Sequence, residues 1–263
     1  MKISAKQMRI DILKMGYAAK SNGAHFGGSM SLVEIFSALY SFVNFDPKNT
    51  ADENRDRVIL SKGHGVMAQY AALKQLGLYS DDDIVKFKTD DAILYAHPSM
   101  NTARGIEFSS GSLGQGLSLG VGVALGLKRK NLNNKVYVIV GDGECNEGSV
   151  WEAAMSAAHY TLDNLVLIID KNDLQYDGTT KEILKMDLNA KFRAFGFDVI
   201  ECDGHDENAL LNAYKAENSK PKAIIAKTIK GKGVSFMENQ VDWHFNFLSQ
   251  NNFDTALREV ENA

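Results

Sequence analysis

The sequence predicts an α/β fold, a doubly wound and mostly parallel sheet with helices on both faces. Three observations lead there. Apolar runs of strand length recur along the 263 residues, stretches of helical periodicity lie between them, and the runs are continuous rather than alternating. Continuous apolar strands are covered on both faces, the condition of a parallel sheet between two helix layers. Strand–helix alternation supplies the crossovers that such a sheet needs.

The strand candidates are RVIL (57–60), VYVIV (136–140), LVLIID (165–170), FDVIE (197–201) and AIIAKTI (223–229). Helices are expected over 4–20, 31–44, 65–76, 115–130, 149–160, 187–195 and 206–217. The first carries Ala5, Met8, Ile12, Met15 and Ala19 on one face. Ser31 with Glu34 and Ser149 with Glu152 have the spacing of capping boxes. The tail, 245–263, reads as a short polar helix. Residues 78–115 are loop-rich and long for a connection, and such loops tend to carry function. With only three prolines (Pro47, Pro98, Pro221) and no repeat or linker, one domain over 1–263 is expected.

A hydrophobic content of 44% is enough for a large core. The net charge is −4, without a lysine or arginine tract, which argues against a nucleic acid or an anionic membrane as partner. No stretch reaches the roughly 18 apolar residues of a membrane span. Lys2, Lys6, Arg9, Asp11 and Lys14 interrupt the N-terminus, so no signal peptide is read there and a cytoplasmic location is expected. Cys145 and Cys202 are too few for a disulfide framework or a thiolate metal site. Cys145 is read as structural.

The stretch GDGECNEG (141–148) follows a predicted strand and precedes a predicted helix. About thirty residues on, Asn172 closes the next strand, so the two turns bound one βαβ unit. A right-handed crossover brings both turns to the same sheet edge, where open α/β sheets bind ligands. One carboxylate, Asp142, and one amide oxygen, Asn172, are hard donors suited to Mg²⁺ or Ca²⁺. Two side chains cannot fill six positions, so carbonyls, water or substrate phosphates must complete the shell. Gly141 and Gly143 let backbone approach closely. The residues read as a divalent ion clamping a diphosphate.

GDGECNEGSVWEA with NLVLIIDKND resembles the thiamine diphosphate motif in its transketolase form. RVILSKGHG (57–65), AHPSM (96–100), GIEFSSGSLGQG (105–116) and IKGKGVSFMENQVDWH (229–244) also resemble transketolase segments, in order. The resemblance runs from about Ser21 to His244. It implies the thiamine diphosphate-binding fold, with thiamine diphosphate and Mg²⁺ (Ca²⁺ as an alternative) as cofactors. It also implies a metal held by Asp142, Asn172 and the carbonyl of Leu174, with Gly143 on the diphosphate.

The chain has six histidines, and His25, His64, His97 and His244 lie in turns marked by glycine or proline or near them. Neutral imidazoles offer a donor and an acceptor each, which suits a site that handles a diphosphate and a polyol. The resemblance implies that His64 contacts the diphosphate beside the backbone of Ser112 and Leu113. It implies that His25 and His97 contact hydroxyls near C1 of the donor sugar. His244 would touch the diphosphate and stabilise the oxygen that becomes charged. His159 and His205 match no such position. Glu147 and Glu152 resemble the acidic chain between paired sites, although Glu152 also has the capping-box reading. Phe26 stands where the family usually has proline, and Phe245 where it usually has glycine; the latter lies beside the mouth of the site.

A whole transketolase also carries a pyrimidine-binding domain and a C-terminal domain, and the arginines that grip a sugar phosphate normally belong there. The resemblance therefore implies the N-terminal subunit of a split transketolase, transferring a two-carbon ketol unit from a ketose to an aldehyde. It would work with a C-terminal subunit that carries the pyrimidine-binding domain, in an α2β2 heterotetramer. Two alternatives stay open: a split thiamine diphosphate lyase, dehydrogenase or deoxyxylulose-phosphate-synthase-like subunit, and a catalytically silent cofactor-binding paralogue. A nicotinamide-binding domain is set aside, because no GxGxxG follows a first strand.

Overall fold

The computed structural model describes residues 2–263. Its strands are β1 Arg57–Leu60, β2 Val136–Gly141, β3 Leu165–Lys171, β4 Asp198–Asp203 and β5 Lys222–Lys227. They form one sheet in the order β1-β2-β3-β5-β4, with every neighbouring pair parallel. In chain order the helices are α1 Ala5–Ala18, α2 Gly27–Met30, α3 Val33–Phe42, α4 Val66–Gln75, α5 Asp81–Val85 and α6 Gln115–Arg129. They continue as α7 Gly148–His159, α8 Thr180–Leu184, α9 Leu188–Ala194, α10 Glu207–Lys215 and α11 Gln250–Asn262.

Side chains alternate across each strand, so the continuous runs feed two cores at once. Val136, Val138 and Val140 of β2 pack with Leu165, Leu167 and Ile169 of β3 beneath α6, α7 and α9. Tyr137, Ile139, Val166, Ile168 and Ile224 face the opposite layer of α1, α3, α4 and α10. Each such aliphatic side chain taken from water stabilises the fold by about 1.5–3 kcal/mol. β4 departs from the expectation of two covered faces: it is an edge strand, and Val199 is its one buried residue.

Neither expected capping box forms. The Ser31 hydroxyl donates to the Asp170 carboxylate at 2.6 Å, while Glu34 is bound by Arg9 and His205. The Ser149 hydroxyl donates to the Gly114 carbonyl at 3.0 Å, and α7 begins one residue earlier. Tertiary partners outcompete the local caps in both cases. Capping boxes occur instead at Ser80–Asp83 and Thr179–Glu182, at the starts of two short helices not expected from periodicity. The tail helix α11 is more than a polar appendage, since Ala256 and Val260 are buried and Phe253 stacks on Tyr17 of α1 at 4.6 Å.

The register sets the site. Leu60 lies beside Ile139, Gly141 beside Asp170, and Asp170 beside Ala226. The turns after β1, β2, β3 and β5 therefore leave the sheet along one edge, side by side.

Candidate functional site

Asp142 and Asn172 follow β2 and β3 directly, and both are buried. The backbone N–H of Asp142 donates to the Asp170 carbonyl at 3.2 Å, which ties the two turns. One Asp142 oxygen accepts from the Gly143 N–H at 2.8 Å and the other from the Asp173 N–H at 2.6 Å. Asn172 accepts from the Leu174 N–H at 3.2 Å, which brings its amide oxygen beside Leu174. Burial, and then the charge of Asp170, push the Asp142 carboxyl up to about 6. An anion kept in so poor a solvent favours a cation beside it.

The four turn histidines converge. The His25 ring lies 5.5 Å from His64, 5.6 Å from His97 and 5.6 Å from His244, and His64 lies 5.1 Å from His244. Burial is the main cause that lowers all four, with neighbouring cationic groups adding to it. His25 is held at about 4 and His244 at about 3, so these rings are neutral at physiological pH. The segment carrying His25 is pinned to the one carrying His244 by a two-bond bridge between Ala24 and Asn246. His159 and His205 stay outside the cluster: the first meets Tyr160 edge to face at the end of α7, and the second binds Glu34.

The turn containing Ser112 and Leu113 is packed against the His64 turn. A Cβ on Gly63 would lie 2.9 Å from the Gly111 nitrogen, so no side chain fits there. Gly114 adopts φ +82°, and a Cβ on it would strike Glu147 at 2.7 Å. Glu147 and Glu152 are exposed, and they take no part in the histidine cluster.

Phe26 and Phe245 have opposite fates. The Phe26 ring is fully buried in a notch left by Gly16 and makes a T-shaped contact with Trp243. Phe245 is 42% exposed; its ring lies 4.8 Å from His25, beneath the Lys88 ammonium at 5.4 Å.

Three buried groups went unread in the sequence. Glu144 accepts from Ser61, from the Gly114 N–H at 2.8 Å and from the Gly141 N–H at 3.0 Å, stapling three turns together. Lys62 pairs with the fully buried Asp170 and also donates to the Gly28 carbonyl at 3.1 Å. Lys230 donates to the Leu174 carbonyl at 2.9 Å and faces His244 Nδ1 at 2.8 Å. Burial lowers its ammonium to about 8. A lysine two residues before His64 and another at the head of IKGKG are faint signals, visible only once the turns are known to meet.

These residues fit a hard cation and an anion held together. The oxygens that could meet a cation are the Asp142 carboxylate, the Asn172 amide oxygen and the Leu174 carbonyl. This set contains no thiolate or imidazole, and among the described residues no three His, Cys, Asp or Glu side chains cluster as a metal site. For the anion, the Gln175 side chain packs against Gly143 and its amide nitrogen is buried without an acceptor. An orphaned donor costs free energy until an oxygen reaches it.

Residues 3–260 match the transketolase thiamine diphosphate-binding domain. The chain belongs to that family. It is 41% identical over 261 residues to one subunit of the apulose-4-phosphate transketolase of Actinobacillus succinogenes, covering 98% of this chain and 94% of that one. It is 41% identical to a 6-deoxy-6-sulfo-D-fructose transketolase subunit of a Clostridium species, over 90% of this chain and 88% of that one. The crystal structure of Campylobacter jejuni transketolase superimposes with a TM-score of 0.89 at 29% identity, covering 99% of this chain and 43% of that one. This chain is thus a transketolase-type, thiamine diphosphate-dependent transferase, an N-terminal subunit of the split kind. Among its described residues no helix is long and apolar enough to cross a membrane.

Proposed function

We propose that this chain is the diphosphate-holding half of a two-subunit transketolase that moves a two-carbon ketol unit from a ketose to an aldehyde. Its partner is a C-terminal subunit carrying the pyrimidine-binding domain, and the assembly is an α2β2 heterotetramer at work in the cytoplasm. Asp142, Asn172 and the Leu174 carbonyl hold Mg²⁺, or Ca²⁺ at the same hard donors. His64, Gly143, His244 and the backbone of Ser112 and Leu113 hold the diphosphate. Lys230 belongs with them: with a metal on the Leu174 carbonyl, its ammonium would be free to meet a diphosphate oxygen.

Bound thiamine diphosphate supplies the carbanion chemistry, and the residues of this chain orient and stabilise. His25 and His97 hydrogen-bond the hydroxyls near C1 of the donor, each neutral ring offering one donor and one acceptor. His244 Nδ1 faces the Lys230 ammonium. That nitrogen therefore accepts, and Nε2 carries the proton it donates to the oxygen that gains charge. Glu147 and Glu152, exposed on this chain, face the partner as carboxylates between paired sites. Two relatives are named for a ketose phosphate and a sulfo-ketose, which supports a donor with an anionic terminus.

One observation carries the reading: four neutral imidazoles meet, and Lys230 links one of them, His244, to the Leu174 carbonyl in the turn that holds Asn172. The test mixes the chain with its cognate second subunit, thiamine diphosphate and Mg²⁺, and follows aldose release from a ketose phosphate. Transfer is expected from the pair and not from this chain alone. Full turnover by the isolated chain would overturn the two-subunit reading. Decarboxylation of pyruvate in place of ketol transfer would overturn the reaction class, and cofactor binding without product would mark a silent paralogue.

A further inference from the structure

Lys230 enters the site on the segment 229–233, and its reach depends on what holds that segment from behind. The Ile229 N–H donates to His205 Nε2 at 2.8 Å, and His205 Nδ1 lies 2.8 Å from Glu34 Oε2. A backbone N–H can only donate, so Nε2 is the bare nitrogen and Nδ1 carries the proton toward the carboxylate. Arg9 grips the same carboxylate with two nitrogens, at 2.6 and 3.0 Å, and donates from Nε to the Lys232 carbonyl at 3.0 Å. The segment is therefore held at residue 229 through His205 and at residue 232 through Arg9, and both holds end on Glu34 of α3.

The inner side leaves little slack. The Gly231 N–H donates to the Gly27 carbonyl at 3.0 Å, and a Cβ on Gly27 would lie 2.8 Å from Lys230 Cγ. Burial works against the Glu34 charge, yet hydrogen bonds from His205 and Arg9 outweigh it and hold the carboxyl below its ordinary range. Glu34 is thus a fixed anion at the root of the arrangement.

We propose that His205 and Glu34 are positioning residues: a carboxylate–imidazole–backbone relay that sets where the Lys230 ammonium stands and so tunes affinity for a diphosphate. The last clause rests on the functional reading above; the positioning itself does not. His205→Leu removes the acceptor at similar bulk, and His205→Gln keeps an acceptor for the Ile229 N–H.

Two readouts separate the claims. The first is the acylation rate of Lys230 in the chain itself, by an amine-reactive reagent and peptide mass spectrometry. It is expected to be slow in the wild type and His205→Gln and to rise about tenfold in His205→Leu, the scale of one lost hydrogen bond. The second is thiamine diphosphate affinity in the complex at fixed Mg²⁺, followed by tryptophan fluorescence. His205→Leu should weaken it about tenfold, His205→Gln should restore it, and His205→Leu should add little once Lys230→Met is present. Unchanged Lys230 acylation in His205→Leu, or full additivity with Lys230→Met, overturns the relay. Faster acylation with no cofactor binding by the wild-type complex upholds the positioning and counts against the diphosphate reading instead.

Discussion

The Asn172 side-chain amide donates to the Asp170 carboxylate, two residues earlier on β3, over 3.1 Å. This contact fixes which way the amide faces and leaves its oxygen on the side of Leu174. Asp170 is itself held by Lys62, Ser31 and Thr228, drawn from three other segments. Its carboxyl stays below the ordinary range although burial opposes the charge, because the Lys62 charge and these hydrogen bonds outweigh it.

Asp170→Asn should therefore damage both stability and the site. Breaking a buried ion pair by removing one partner costs about 3–5 kcal/mol, so calorimetry should show a marked fall in Tm. Adding Lys62→Met removes the stranded charge and should recover part of that stability. Metal-dependent cofactor binding should stay lost in the double variant. If it returns with stability, Asp170 serves the fold alone.

Removal of the divalent ion makes a separate test. EDTA should abolish thiamine diphosphate binding by the assembled enzyme, and Mg²⁺ should restore it. In Asp142→Asn the restoration should need at least about tenfold more Mg²⁺, as expected for a hard cation that has lost its only carboxylate. Calorimetric titration reads both outcomes.

The neutral histidines predict a pH dependence of stability. His25 is lowered from 6.5 to about 4 by burial and then by His97 and Lys88. Between these values the unfolded chain binds the proton and the folded chain does not, so this group adds stability as pH rises from about 4 to 6.5 and nothing further above it. Denaturant midpoints of His25→Phe should lack that part of the slope. An unchanged slope would mean that His25 is already protonated in the folded state.

Of Phe26 and Phe245, it is Phe245 that lies exposed against the histidine cluster. Phe245→Gly should change kcat/KM for bulkier donors or acceptors by about tenfold, the scale of a pocket contact worth about 1–3 kcal/mol. Thiamine diphosphate affinity should be unaltered. A substrate panel assayed on the assembled enzyme decides; an effect confined to cofactor affinity would remove Phe245 from substrate selection.

The parallel sheet was legible because β1, β2, β3 and β5 carry unbroken apolar runs, a pattern that few alternatives produce. The acid–amide pair and the four histidines were legible because each lies in a turn with its own local signature. The capping boxes at Ser31 and Ser149 misled for the opposite reason: the local pattern was present, but Asp170 and Gly114, distant in sequence, claimed the hydroxyls. Lys62, Lys230 and Glu144 had no local pattern. Their partners lie 108, 56 and 83 residues away, and a lone lysine or glutamate is ordinarily a solvated surface residue.

The Glu144 staple bears on how the molecule comes to exist. Its three partners belong to turns after β1, before α6 and at the end of β2, and the farthest is 83 residues away. A contact so remote in sequence forms only once a long loop has closed, a cost that local contacts do not carry. A nascent or partly folded chain therefore has each ingredient of the pocket but no pocket, and competence to take up a ligand doubles as a report that the whole polypeptide has reached its native topology.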